Sequence, residues 1–317
     1  MTRARIRISV IATVAACAAG LAGASVPAFA SPVGGSRPVL AVDGEVTTPA
    51  AYTIKDLAAL PQTTATVRLG GRQVTDTGVL LETLVTDTGP AYPASLLNTK
   101  NELLRVTVTV TGAGHRAVTF AVGELDSNFG NHPALLALTQ NGRPVPFGPA
   151  LVVPGDQSPL RFVPGVSRVT VGIATAPATD TTPPAGSPVV VIDGRHHVTL
   201  SAALLARLPA ETLKVSFLAG APPAQTHTEI GPALWEVLAA AGIRPTLNTW
   251  VAAVGDDNYV ATVTPAEQFV GGRPLQLSLN EDGVALPQPR LVTDGDVKGG
   301  RYVSDVVDIY VGTGPAH

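Results

Sequence analysis

Apolar and polar positions alternate along most of this chain, and short runs of helical period interrupt the alternation. A strand over Val39 to Val42 enters a DG turn at Asp43-Gly44, and another over Val189 to Ile192 enters one at Asp193-Gly194. Glycine supplies the positive φ that such turns need. Each turn is followed by a short helical run, TIKDLAALP and TLSAALLARLP, with Thr53 and Thr199 placed as N-caps and Pro61 and Pro209 as stops. Alternating strands come next, over Ala65 to Leu69 and Leu213 to Leu218. A helix with an apolar face then runs to a closing glycine, clearest in Leu234, Val237, Leu238 and Ala241 before Gly242. Two β-hairpins follow, LRVTVTV–RAVTFAV around Gly112 to His115 and WVAAV–YVATV around Gly255 to Asn258. Each series ends in two strands: Ala150 to Val153 with Val169 to Ile173, and Arg290 to Val292 with Val306 to Val311. Strands dominate two short helices per series, which predicts an α+β fold with a mixed, mostly antiparallel β core.

The two series are copies. VDG at Val42-Asp43-Gly44 recurs as IDG at Ile192-Asp193-Gly194; GVLLETLVTDTG (78–89) recurs as GPALWEVLAAAG (231–242); PALVVPGD (149–156) recurs as PRLVTDGD (289–296). The offset drifts from 150 to 153 to 140, as when insertions and deletions fall in surface loops. A unit of about 140 residues can bury its own core. The expectation is therefore two tandem domains, 38–174 and 189–314. A flexible lead-in (31–37) precedes them, and a Pro/Thr-rich linker (175–188) joins them.

Residues 1–30 read as a secretory signal peptide. Arg3, Arg5 and Arg7 precede an uncharged apolar stretch from Ile8 to Leu21, and Ala28-Phe29-Ala30 has the small-x-small form of a cleavage site. The expected mature protein is secreted or extracytoplasmic. Val14-Ala15-Ala16-Cys17 also resembles a lipoprotein signal, but the residues after Cys17 stay apolar to Phe29, which favours cleavage after Ala30 over lipidation. No later segment is apolar enough to span a bilayer. Cys17 is the single cysteine, so cleavage leaves no disulfide, no thiolate nucleophile and no cysteine-bound metal. Loss of the three arginines takes the formal charge from −3 to −6. A mildly acidic chain with four lysines argues against nucleic acid as a partner.

Several motifs imitate known sites. Gly112-Ala113-Gly114-His115-Arg116-Ala117 fits the dinucleotide pattern but opens no helix, so it reads as a hairpin turn. Asp294-Gly295-Asp296-Val297-Lys298-Gly299 with Asp305 imitates a calcium loop, yet Lys298 stands where an oxygen ligand is required. His115, His132, His196, His197 and His227 lack metal-site spacing. Trp235 and Phe120 lie on apolar faces and read as core. Arg161 in PLRFV and Arg301 in GGRYV occupy matching places beside glycine-rich turns. A guanidinium there suits phosphate or carboxylate, and it equally suits a local acid such as Asp156 or Asp305.

VDGEV with TIKDLAALP, the GPALWEVLAAAG helix, GELDSNFGNHPALLALTQNGRPV (123–145), GPALVVPGD (148–156) and VKGGRYVSDVVDIYV (297–311) carry a family resemblance. In these residues the chain resembles two tandem, degenerate copies of the molybdopterin-binding oxidoreductase domain, the catalytic fold of sulfite oxidases. The resemblance implies a mostly β core presenting loops to an anionic metallopterin. That family ligates molybdenum through one cysteine thiolate, a soft ligand. The corresponding stretches here, TTATVRLGGRQVTDT (63–77) and TLKVSFLAGAPPAQTHTEI (212–230), contain no cysteine; Arg68, Arg72 and His227 are their strong polar side chains, and none replaces a thiolate. Arg3-Ala4-Arg5 is not a twin-arginine signal, so a cofactor inserted in the cytoplasm would be left behind. The expectation is a non-catalytic protein without metal or cofactor. It would bind a small anion through Arg161, Arg301 and Arg290, or a cell-envelope component. The alternative is a molybdopterin-dependent oxidoreductase whose cofactor is held without a protein thiolate.

Overall fold

The first series of elements comprises β1 (Leu40–Gly44), β2 (Ala50–Tyr52), α1 (Ile54–Ala59), β3 (Thr63–Leu69), β4 (Arg72–Leu80), α2 (Leu81–Thr88), β5 (Val106–Thr111), β6 (Ala117–Ala121), α3 (Val122–Leu125), β7 (Leu135–Gln140), β8 (Arg143–Pro144), β9 (Ala150–Val152) and β10 (Arg168–Ile173). The second comprises β11 (Val189–Asp193), β12 (His196–Leu200), α4 (Ala202–Leu205), β13 (Ala210–Phe217), β14 (Gln225–Pro232), α5 (Leu234–Ala240), β15 (Thr249–Gly255), β16 (Val260–Val263), α6 (Pro265–Phe269), β17 (Leu275–Glu281), β18 (Val284–Thr293) and β19 (Val306–Thr313). This computed structural model describes residues 37–69, 71–176 and 184–316. The signal-peptide and Cys17 readings, and the middle of the linker, lie outside the described residues.

Among the described residues the architecture is α+β, with four sheets and short helices. The order β2-β1-β10-β5-β6 in one sheet is repeated as β12-β11-β19-β15-β16 in another, and β3-β4-β7-β8 is repeated as β13-β14-β17-β18. Among the described residues the parallel ladders are β1 with β10 and β11 with β19; every other ladder is antiparallel. β9 pairs with β7 beside β8, whereas in the second series one continuous strand, β18, takes both places with a register shift between Ser278 and Asn280. The repeated glycine that opens GVLL and GPAL has a steric cause. A Cβ on Gly78 would stand 1.9 Å from the Leu136 carbonyl oxygen, and one on Gly231 would stand 2.2 Å from that of Leu277.

Each series therefore holds two sheets, where the alternation suggests one β core. β4 (RQVTDTGVL) and β7 (LLALTQ) escape a period-of-two reading because each is buried toward one end, while the other end is exposed in β4 and half-exposed in β7. Each series also has a third helix, α3 or α6, directly after the hairpin. Thr53 caps α1 with a capping box to Asp56, but Thr199 is a β12 residue paired with Val190, and Ser201 caps α4 instead. Phe120 is buried, as its apolar surroundings suggest; Trp235 is 41% exposed, since α5 buries Leu234, Val237 and Leu238 and turns position 235 outward.

Strands β5, β6, β15 and β16 are buried on both faces. In VTVTVT the valines fill the first core, while Thr107 and Thr109 are covered as well. The Thr107 hydroxyl accepts from the Ala316 amide at 2.9 Å, the Thr262 hydroxyl donates to the Leu104 carbonyl at 2.7 Å, and the Thr119 amide donates to the Leu247 carbonyl at 3.0 Å. Leu104, from the first series, sits in the core of the second, and Leu247 packs against the core of the first. The two series thus exchange a leucine across a seam that hydrogen bonds cross.

Candidate functional site

The seam contains a buried ionic network made from matched residues. Asp156 and Asp296, Arg161 and Arg301 each stand 140 residues apart, while Glu124 on α3 and Glu267 on α6 stand 143 apart. Arg161 donates from Nε to Asp156 Oδ2 at 2.9 Å and from Nη1 to Glu124 Oε1 at 2.6 Å. Its guanidinium also lies 4.9 Å from the Phe120 ring. Arg301 donates to both Glu267 oxygens at 2.7 and 2.8 Å, and to Asp296 Oδ2 at 2.9 Å. His132 bridges Glu124 and Asp156 at 3.1 and 3.6 Å, and Arg273 bridges Glu267 and Asp296, each at 3.2 Å. Both Arg161 and Arg301 are 0% exposed. Backbone bonds cross beside the network in a reciprocal pair: Gln157 N–H to Val270 C=O at 3.0 Å, and Val297 N–H to Phe129 C=O at 2.7 Å.

Burial acts on the carboxyls of Glu124, Asp156 and Glu267. It pushes Asp156 and Glu267 up, and Arg161 and Arg301 only partly oppose it. At Glu124 burial is outweighed by Arg161 and His132, which hold the carboxyl at about 2. Both arginines are raised, because their acids outweigh the cost of burying a cation.

Two cavities open at matching places beside this network. The smaller, about 370 Å³, lies between the β3–β4 hairpin and the 155–162 turn, where Arg68, Gln73, Gln157 and Ser158 supply polar groups. The larger, about 650 Å³, lies between the end of β13, the 256–259 turn, the 298–305 segment and Lys100-Asn101. Its floor is Gly299-Gly300. A Cβ on Gly299 would stand 2.6 Å from the Phe217 ring and one on Gly300 would stand 2.2 Å from the Phe129 ring, so only glycine lets both rings rest on the backbone. Phe217 and Tyr302 have ring centroids 4.3 Å apart, tilted by 41°. The Tyr259 ring is fixed by its hydroxyl, which donates to Gly300 C=O at 2.5 Å and accepts from Asn101 at 2.7 Å. Lys100 Nζ stands 5.4 Å from that ring, and Lys298 donates to Asn128 Oδ1 at 2.8 Å. Asp256, Asp257, Ser304 and Asp305 complete the wall. Burial, then the charges of Asp256 and Asp257, push the Asp305 carboxyl up.

The residues expected to bind an anion are placed as follows. Arg161 and Arg301 are enclosed in the network, with the local acid Asp156 on the first and Asp296, rather than Asp305, on the second. Arg290 lies on β18, donates to Glu281 at 2.6 Å and lines neither cavity. Arg68 lines the smaller cavity, Arg72 is exposed at the start of β4, and His227 pairs with Asp282 at 2.9 Å. Gly112 to Ala117 form a hairpin turn between β5 and β6. His196 and His197 are exposed on β12, and among the described residues no group of three or more His, Cys, Asp or Glu could hold a metal ion. Asp296, central to the calcium-like motif, has its carboxylate committed to Arg301 and Thr293. Sequence reasoning missed Glu124 and Glu267. Their signal is an acid that follows the hairpin within a few residues in both series, Glu124 in AVGEL and Glu267 in TPAEQF.

No protein-family model and no curated protein matches the chain. Among solved structures, a crystal structure of the sulfane dehydrogenase SoxCD from Paracoccus pantotrophus is similar at 18% identity, over 80% of this chain and 61% of that one, with a TM-score of 0.32. The chain thus spans about three fifths of the solved chain that it matches. A TM-score this low gives the likeness no weight for fold or chemistry. No helix among the described residues is long and apolar enough to cross a membrane.

Proposed function

We propose that the chain is an exported, non-catalytic binding protein of two tandem domains, 38–174 and 189–314, that takes a small ligand in the cleft floored by Gly299-Gly300. That cleft is the observation that carries the reading. It encloses about 650 Å³, within the range of small-molecule sites, and combines aromatic walls with a few fixed polar groups. The repeated strand order and the matched ionic residues support the tandem arrangement. The non-catalytic reading rests on the sequence, in which the only thiol, Cys17, precedes the expected cleavage site.

Molybdopterin does not suit this lining. The group is anionic, while Asp256, Asp257 and Asp305 outnumber Lys100 and Lys298 on the walls. The described residues contain no cysteine to ligate its metal, and Arg301 of the network is enclosed by Glu267 and Asp296. The test is metal analysis and intact mass of protein collected from its own culture medium. The expected result is a chain beginning at Ser31 with no stoichiometric molybdenum. A coloured protein carrying one molybdenum per chain would overturn the proposal in favour of an oxidoreductase.

A further inference from the structure

We infer that a second site, sharing no residue with that cleft, takes the anion of a long-chain fatty acid in a groove between α5 and α6. The groove encloses about 320 Å³, near the lower end of small-molecule sites. Trp235 and Ala239 line it one turn apart on the outer face of α5, and Phe269, the last residue of α6, lines it from the other helix. Gly242, at φ +79°, ends α5, and the Ile243 amide donates back to the Leu238 carbonyl at 2.9 Å. The chain turns there, so that Ile243 and Pro245 line the same groove. Leu247, two residues on, packs against the first core and holds this segment. Walls fixed before binding lose little freedom on binding.

The first series shows that the fold does not require this surface. Trp235 stands where α2 has Glu82, 153 residues earlier, and Phe269 stands where Asp126 follows α3, 143 residues earlier. Those two acids are hydrogen-bonded to each other. The second series instead leaves two large rings in water, Trp235 at 41% and Phe269 at 45% exposure. Apolar side chains grouped on a surface in this way mark a contact. Two properties of the lining select the ligand. It is nearly all apolar, so the body of the ligand must bring no hydrogen-bonding groups that would be left unpaired. A peptide fails this condition, since each residue carries an amide and a carbonyl. Arg244 is the one charged side chain on the lining; it is exposed, and among the described residues no acid pairs with it. Its guanidinium fork matches one carboxylate and repels a cationic amphiphile. A phosphate monoester would keep much of its second charge unanswered. A bilayer surface is drawn by a basic cluster, and this lining has a single cation. A free fatty-acid anion, one carboxylate on an apolar chain, meets both conditions.

The experiment is fluorescence titration of the whole mature chain with dodecanoate below its micelle concentration. Parallel titrations use dodecanol, the tripeptide acetyl-alanyl-leucyl-phenylalanine and phosphatidylglycerol vesicles. Trp235 is the reporter, because Trp250, the other tryptophan, is buried. Dodecanoate should give a saturable blue shift, with dodecanol binding about three- to fivefold more weakly, the range of an exposed ion pair. Arg244→Gln should weaken dodecanoate by the same factor and leave dodecanol unchanged. Phe269→Ala, an exposed change, should weaken both about tenfold. Equal affinity for dodecanoate and dodecanol, or an Arg244→Gln variant that binds dodecanoate normally, would overturn the carboxylate assignment. Absence of a saturable shift, or binding untouched by Phe269→Ala, would overturn the groove as the site. Tighter binding to the tripeptide or to the vesicles would overturn the inference in favour of a peptide or a membrane surface.

Discussion

Glu124 and Glu267 occupy the same place in the two series of elements, and each faces an arginine, yet their protons are held differently. Burial raises both. At Glu124, Arg161 and His132 overcome it and keep the carboxyl near 2; at Glu267, Arg301 does not, partly because the negative charges of Glu124 and Asp296 add to burial. Two like charges in one buried network titrate in steps that belong to the pair, and Glu124 is the member that stays ionised. The stability consequences have opposite signs. Glu124 has a folded pKa below its ordinary 4.5, so its contribution is present above that value and is lost as pH falls toward 2. Glu267 has a raised folded pKa, so its contribution is present at low pH and declines as pH rises through that raised value. Glu124→Gln should therefore cost about 3 kcal/mol at neutral pH, as for a broken buried pair. The gap to the natural protein should narrow between pH 4.5 and 2. Glu267→Gln should cost less. Urea midpoints measured across this range would check both, and equal costs for the two variants would contradict the assignment.

Among the elements, the short helices and glycine turns tie sequence to structure most directly. Thr53→Ala removes the α1 capping box and should lower stability by about 1 kcal/mol, read from thermal unfolding. Gly300→Ala drives a methyl into the Phe129 ring and should lift the cleft floor, with loss of ligand binding larger than its loss of stability. The hairpins, the α2 and α5 helices and the α+β class were legible in the chain because period and glycine position depend on near neighbours. The α5 stripe of Leu234, Val237 and Leu238 was legible too, and it should have placed Trp235 on the outer face. The candidate site was harder to read. Arg161 and Arg301 stood out by their repetition, but the acids that enclose them, Glu124 and Glu267, lie 37 and 34 residues away in sequence. Both sit on α3 and α6, helices of four and five residues that are too short to show a period. The threonine face of VTVTVT reads as solvent-facing; only the second series of elements covers it.

At the scale of the whole molecule the seam governs behaviour. Leu104 and Leu247 each serve the opposite core, and the ionic network lies between them, so neither series can lose its packing alone. Calorimetry should show one cooperative transition; two resolved transitions would contradict the seam as described. The crossing bonds from Gln157 to Val270 and from Val297 to Phe129 join equivalent atoms in opposite directions. That is the relation found at a twofold contact between identical subunits. A lone copy, cut from its twin, would carry a face complementary to its own mirror-ordered bonds, and residues 38–174 by themselves should sediment as a pair: the tether between the copies would then be a covalent record of what was once a meeting of two separate molecules.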